Sequence, residues 1–255
     1  MKHILVIGIG AGDPEYLTVQ AIKALNRTDV FFILDKGEHK HKLRQLREDI
    51  CQRYIDTGHP YRMVEAGNPE REREGDYRRN VSELNAAKQQ VFERLIGDEL
   101  RDGEHGAFLV WGDPSLYDST LRILDAILER GVLRFDYEVI PGITSVQALT
   151  AKHKVPLNHI GKAVQITTGR RLAQGLPESV DSVAVMLDAE DTYQRLTATD
   201  LDIYWGAYVG TPDEILIAGP LHEVADEIQR TRHAAREANG WIMDTYLLRR
   251  RENDR

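Results

Sequence analysis

The chain is poor in cysteine. Cys51 stands alone in 255 residues, which excludes an internal disulfide and any cysteine-cluster metal site and points to a reducing, cytoplasmic setting. Long apolar runs are also missing. None approaches the roughly 20 residues that a bilayer-spanning helix needs. One lysine followed by a short strand-like run does not make a signal peptide, so no membrane association is expected. Positive charge is in the minority: 33 Lys and Arg face 41 Asp and Glu, for a net charge of −8. The basic footprint of a general nucleic-acid binder is absent, although local arginine clusters remain able to meet an anionic ligand. No H-x-x-H pattern or carboxylate cluster suggests a metal, and the metal expectation is none. Internal repeats and low-complexity segments are absent.

What is present is an alternation of short apolar runs with amphipathic stretches, the pattern of an α/β protein. Strands are expected at residues 4–8, 30–34, 61–64, 107–111 and 135–140. Helices are expected at 14–26, 40–54, 80–100 and 117–130, the last stopped by Gly131. Pro141-Gly142 then breaks the chain, so the expected domains are 1–140 and 141–255. In the second, helices are expected at 144–151 and 221–239, and strands at 164–168, 182–187, 203–209, 214–217 and 241–248. Cys51 lies in a helical stretch and reads as structural.

Three strand-to-helix turns carry the chemistry. The first is Gly8-Ile9-Gly10-Ala11-Gly12-Asp13. Glycine at every second residue is not the G-x-G-x-x-G dinucleotide spacing, and Asp13 would repel a pyrophosphate. Asp35, at the end of the second strand, is where a ribose-binding acid would stand, so a nicotinamide-linked reductase remains one alternative. The second turn is Trp111-Gly112-Asp113-Pro114-Ser115-Leu116-Tyr117; Pro114 pushes Asp113 toward an extended backbone, and Asp113 is also placed to cap the next helix. The third is Pro141-Gly142-Ile143-Thr144-Ser145, which alone reads as a loop with a helix cap.

Together these turns resemble the class III, tetrapyrrole-type S-adenosylmethionine methyltransferases. That family carries V-G-x-G-x-G-D, G-D-P and P-G-x-[ST]-S, matched here by residues 7–13, 112–114 and 141–145, with a later Gly-Thr turn at Gly210-Thr211. The resemblance implies two α/β domains with the cofactor, S-adenosyl-L-methionine, in the cleft between them and S-adenosyl-L-homocysteine as product. Carried over position by position, it implies cofactor contacts at Gly10, Ala11, Trp111, Gly112, Asp113 and Leu116. Further on it implies Thr144, Ser145, Met186, Ala207 and Tyr208. Ala11 replaces the proline common in the first turn, and Asp188 stands where many relatives carry a small residue.

Residues 241–246 and 186–188 are most similar to the branch acting on precorrin-5, with methylation at ring carbon 1 and loss of an acetyl group as acetate. Other corrin-pathway methyltransferases remain an alternative, as does a non-catalytic tetrapyrrole-binding protein. Asp113, Asp35 and Tyr117 are the catalytic candidates, with His39 and His41 as further polar groups. A tetrapyrrole substrate bears many carboxylates. The candidate cation clusters are Arg71, Arg73, Arg78 and Arg79, and Lys152, Lys154, Arg170 and Arg171. Arg170 and Arg171 are preferred because they follow an expected strand end. A homodimer is expected by resemblance alone.

Overall fold

The computed structural model describes residues 1–35, 41–69, 77–177 and 179–251. At 41–43 and 77–82, and at Asp35, only the backbone is described. The chain divides into two compact units, one of Met1–Gly10 with Pro14–Ile143, the other of Ala11–Asp13 with Thr144–Arg255.

The first unit is built on a five-stranded sheet, β1 (Lys2–Gly8), β2 (Val30–Asp35), β3 (Arg62–Gly67), β4 (His105–Val110) and β5 (Phe135–Ile140), in the order β3-β2-β4-β1-β5. All its pairings are parallel. Parallel strands are covered on both faces, which is why β1 and β4 read as continuous apolar runs. Ile4 and Val6 face one way, with Phe92, Leu95 and Ile96 of α3 (Tyr77–Asp98) and Ile123, Leu124 and Ile127 of α4 (Thr120–Arg130). Phe92 stacks on Phe108 at 4.2 Å between ring centres. Leu5 and Ile7 face the other way, against Ala21, Ala24 and Leu25 of α1 (Val19–Leu25) and Ile50 and Cys51 of α2 (His41–Tyr54). Burial pushes the Cys51 thiol up to about 12, with Glu48 adding to the effect, so it stays protonated and inert.

The second unit holds a mixed sheet of β6 (Val164–Thr168), β7 (Ser182–Met186), β8 (Leu201–Ala207), β9 (Ile215–Pro220) and β10 (Asp244–Arg250), in the order β6-β7-β10-β8-β9. Only β6 and β7 pair in parallel; the other pairings are antiparallel. Leu221, Ile228 and Ala235 of α7 (Leu221–Asn239) close one face over Val183, Val185, Trp205 and Tyr246. The opposite face is covered at β8 and β10 by α5 (Ser145–His153), whose Leu149 reaches over Gly206. The short α6 (Gly169–Leu172) follows β6.

Several element bounds shift by one to three residues from expectation, and three starts differ for a local polar reason. Residues 14–26 are not one helix: a 3₁₀ turn at Pro14–Tyr16 precedes α1, whose true cap is Thr18, its hydroxyl accepting the Ala21 N–H at 3.0 Å. The helix expected from Tyr117 starts at Thr120, because Tyr117 has φ 53° and Asp118 Oδ1 accepts the Thr120 N–H at 2.7 Å. The last strand starts at Asp244 rather than Trp241, since the Trp241 carbonyl is taken by the Tyr208 hydroxyl at 2.5 Å.

Candidate functional site

The parallel register brings Gly8 opposite Val110 and Ile7 opposite Ile140, so β1, β4 and β5 end side by side, and each opens into one of the three turns. The turns are tied by backbone. Gly10 N–H donates to Gly112 O at 3.3 Å and Gly112 N–H to Gly10 O at 2.8 Å. A Cβ on Gly8 would stand 2.6 Å from Gly142 N and 2.9 Å from Gly112 O. A Cβ on Gly142 would collide with Gly112 O and stand 2.9 Å from Gly8 Cα. Here glycine is required by approach: three backbones meet with no room for side chains.

Asp113 fastens the same junction. Its Oδ2 accepts the Gly142 N–H at 2.8 Å, and its Oδ1 accepts the Ser115 N–H at 2.8 Å and the Ser115 hydroxyl at 2.5 Å. Burial alone would raise the Asp113 pKa, but the hydrogen bonds from Ser115 and Gly142 outweigh it and hold the carboxyl below its ordinary range. The side chain therefore does not cap α4, which begins at Thr120. It clamps the second turn to the third as a fixed negative charge.

Among the expected site residues, Gly10, Gly112 and Asp113 come together in this way, and the Leu116 N–H donates to Asp113 O at 3.2 Å. Trp111 leads into the turn, and its Nε1 is buried without a hydrogen-bond partner among the described residues. Tyr117 is 44 % exposed with its backbone in the left-handed region, a conformation uncommon outside glycine. Burial raises the pKa of the Tyr117 phenol. Asp35 ends β2 opposite Gly67, and its side chain lies outside the described residues. So do His39, Arg71 and Arg73, and the side chains of His41, Arg78 and Arg79.

The remaining expected contacts lie in the second unit. Ala11 is buried. Its neighbour Gly12 also has its space limited by backbone: a Cβ would stand 2.6 Å from Val209 O and 2.8 Å from Thr211 Cγ2, at the Gly-Thr turn. Thr144 is the N-cap of α5 in a complete capping box with Gln147, so its hydroxyl serves the helix; Ser145 is the helix's first residue. Met186 ends β7 and Ala207 ends β8. Tyr208 is buried, with φ 49°, and its hydroxyl donates to the Trp241 and Ala235 carbonyls. Arg170 and Arg171 are exposed on α6, and Arg171 donates to Gln174 Oε1 at 3.1 Å. Lys152 pairs with Glu214 at 3.2 Å.

One cation was missed by sequence reasoning. Arg47 donates from Nε to Leu109 O at 3.2 Å, near the carboxyl end of β4. Burial lowers its pKa to about 10, against the pull of Asp118. The signal was available: Arg47 falls on the α2 face of Ile50 and Cys51, where an apolar residue is the rule. Among the described residues no group of His, Cys, Asp and Glu could hold a metal ion, and no helix is long and apolar enough to cross a membrane.

Residues 3–225 match the family described as tetrapyrrole (corrin/porphyrin) methylases. A curated relative from Sinorhizobium, precorrin-6A synthase (deacetylating), is 53 % identical over 251 residues, covering 98 % of this chain and 96 % of its own. A solved structure of a cobalamin synthesis related protein (CobF) from Corynebacterium diphtheriae is 38 % identical with a TM-score of 0.82, covering 98 % of this chain and 99 % of that one. A uroporphyrin-III C-methyltransferase from Thermus thermophilus, complexed with S-adenosylhomocysteine, is 19 % identical with a TM-score of 0.58 over 96 % of each chain, and shares the fold.

Proposed function

The chain belongs to the tetrapyrrole (corrin/porphyrin) methylases, and from that premise we propose that it is an S-adenosylmethionine-dependent C-methyltransferase of cobalamin biosynthesis that converts precorrin-5 to precorrin-6A. The methyl goes to ring carbon 1, and the acetyl group there leaves as acetate with the consumption of one water. The specific assignment is supported by the relative of 53 % identity across almost the whole chain.

The observation that carries the cofactor reading is the backbone junction of Gly8, Gly112 and Gly142, fastened by the Asp113 carboxylate. No lysine or arginine occurs in residues 8–13, 111–117 or 141–145. The first turn lacks the G-x-G-x-x-G spacing and ends in Asp13, which would repel a pyrophosphate, so a nicotinamide dinucleotide is disfavoured. The fold is shared with a methyltransferase solved with S-adenosylhomocysteine. When bound, the cofactor supplies a methyl group already activated on a sulfonium.

The chain has then to orient, exclude water and manage one proton. Asp113 sets a negative charge in the turn, complementary to a cationic ligand. With Asp113, the proposed cofactor contacts are Gly10, Trp111, Gly112 and Leu116 of the first unit and Ala11, Thr144, Ser145, Met186, Ala207 and Tyr208 of the second. Tyr117, kept protonated, is suited to donate a hydrogen bond to the acetyl carbonyl oxygen as charge develops there. Asp35 is the candidate to activate the water. Arg47, Arg170 and Arg171 are the cations proposed for the substrate carboxylates. A cytoplasmic homodimer is the proposed form.

Incubation with precorrin-5 and methyl-labelled cofactor tests the reading by mass. Gain of one methyl with loss of the acetyl group is expected. Methyl gain with the acetyl retained rejects the deacetylating assignment. Saturable binding of NADPH without binding of S-adenosylhomocysteine rejects the cofactor.

A further inference from the structure

Ser119 occupies the N-cap of α4 and does not cap it. A serine at that position normally turns its hydroxyl onto a backbone N–H of the first turn. Here Asp118 serves instead, its Oδ1 accepting the Thr120 N–H at 2.7 Å. The Ser119 hydroxyl is released from the helix, and its oxygen accepts a hydrogen bond from Lys88 Nζ at 3.4 Å. Lys88 stands one helical turn before Phe92, in register with the stripe of Phe92, Leu95 and Ile96 that packs α3 on the sheet. A lysine on such a stripe is directed inward, and Lys88 and Ser119 are both half-buried.

The pair lies where the turn after β4 enters α4, at the carboxyl end of the parallel sheet, where α/β proteins bind ligands. Two residues before Ser119, Tyr117 has φ 53°. Strain of this sort persists only where the surroundings over-determine it, and it gathers at functional sites. Cations collect around the same turn. Arg122 Nη2 donates to the Asp118 carbonyl at 3.1 Å, and Arg47 feels the pull of the Asp118 carboxylate. With Lys88 they set a local field that favours a developing negative charge.

We propose that the Ser119 hydroxyl, polarised by Lys88, is a catalytic hydrogen-bond donor to the oxyanion formed from the substrate's acetyl group, with Lys88 as its positioning residue. This inference rests on the deacetylating reading and deepens it. Because the Ser119 oxygen receives a hydrogen from Lys88, its own proton is turned elsewhere, toward a ligand. A charged donor behind the hydroxyl strengthens the bond that the hydroxyl gives. The acetyl group sits on the very carbon that takes the methyl, so its oxygen lies two bonds from the reacting centre. The segment running from the proposed cofactor contacts at residues 111–116 into α4 is the one placed to meet it. Tyr117 and Ser119 together then supply a pair of donors, the arrangement of an oxyanion hole.

The steps balance. The water oxygen bonds to the acetyl carbonyl carbon while its proton passes to a base, for which Asp35 is the candidate. The carbonyl π pair moves onto oxygen, where Ser119 and Tyr117 receive it. The carbonyl re-forms as the bond from that carbon to ring carbon 1 breaks, and the electron pair stays on the ring. That pair takes the methyl, and the sulfonium sulfur keeps its bonding pair. Acetic acid departs and gives up its proton as acetate.

The test uses the full chain, precorrin-5 and S-adenosylmethionine, with acetate release as the readout. Ser119→Ala is expected to lower kcat about a hundredfold with KM and S-adenosylhomocysteine affinity unchanged. Its melting temperature should hold, because no cap is lost. Ser119→Thr keeps the hydroxyl and should return to within about tenfold of wild type. Lys88→Met is expected to lower kcat about tenfold, and Lys88→Arg to restore most of the loss. Since Lys88 acts through the hydroxyl, adding Lys88→Met to Ser119→Ala should cause no further loss; independent effects would multiply. An undiminished rate in Ser119→Ala, or multiplicative losses in the double variant, overturns the inference while the deacetylating reading stands. A wild-type chain that transfers methyl and releases no acetate overturns both.

Discussion

Replacing Gly142 with alanine adds one methyl group where the three turns of the first unit meet. That methyl would collide with Gly112 O and stand 2.9 Å from Gly8 Cα. Both obstacles are main chain, so no side chain can rotate away. Ordinary contact requires roughly 3.5 Å or more, and the third turn must retreat by on the order of an ångström. Overpacking of this kind costs about 1–3 kcal/mol. The retreat also stretches the 2.8 Å hydrogen bond from Gly142 N–H to Asp113, a bond to a charged group worth about 1.5–3 kcal/mol. The two losses overlap, and about 3 kcal/mol is expected in total, a fall in Tm of roughly 10 °C for a protein of this size. Calorimetric melting reads the stability, and titration with S-adenosylhomocysteine reads the site. Affinity should fall at least about tenfold, because the displaced turn is one wall of the proposed cradle. Gly67→Ala is the control: nothing lies within 4 Å of a Cβ there, and about 0.5 kcal/mol or less is expected. A Gly142→Ala protein with wild-type melting and wild-type affinity would refute the claim that backbone approach builds this site.

Asp113→Asn should weaken S-adenosylhomocysteine binding while circular dichroism shows α4 intact, since that helix begins beyond the Asp113 turn. The folded Asp113 carboxyl is held below its ordinary pKa, so its stabilising contribution is present above the ordinary carboxyl range and is lost as pH falls through the lower folded value. Acidification below about pH 4 should therefore lower Tm more in the wild type than in Asp113→Asn. Tyr117→Phe should leave cofactor affinity unchanged and slow acetate release at least about tenfold, measured by an acetate assay; undiminished release would remove Tyr117 from the chemistry. Arg47→Met should keep or raise Tm, because burial already disfavours the charge there, and should raise KM for the tetrapyrrole; an unchanged KM would exclude Arg47 from substrate binding.

How far the sequence discloses this molecule depends on where the deciding contacts lie. Elements governed by their own residues were legible. β5, β6 and α7 occupy the expected ranges, because apolar pattern and flanking breakers agree there. The starts of α1, α4 and β10 were not, because each is set by one side chain bonding one backbone group: Thr18, Asp118 and Tyr208. The motif glycines were legible as a set, but their reason was not. Nothing in a run of residues states that Gly8, Gly112 and Gly142 touch; that follows only from strand order. Asp113 read equally well as a helix cap, and its partner Gly142 lies 29 positions away. Arg47 and Arg232 were hidden by an ordinary assumption that charged residues lie outside. Arg232 sits four residues after Ile228 and three before Ala235, on the buried stripe of α7. An arginine in register with such a stripe is the signal to search for.

The membership of the two units has a consequence for how this chain can be divided. Ala11–Asp13 belong with Thr144–Arg255, although the residues on either side of them belong with the other unit. No single cut yields two whole pieces. A fragment starting at residue 144 would lack the segment that fills the slot beside Val209 and Thr211. Swapping halves between homologues at that junction would graft a unit onto a foreign loop, and only crossovers that carry the loop with its receiving surface should give folded chimeras.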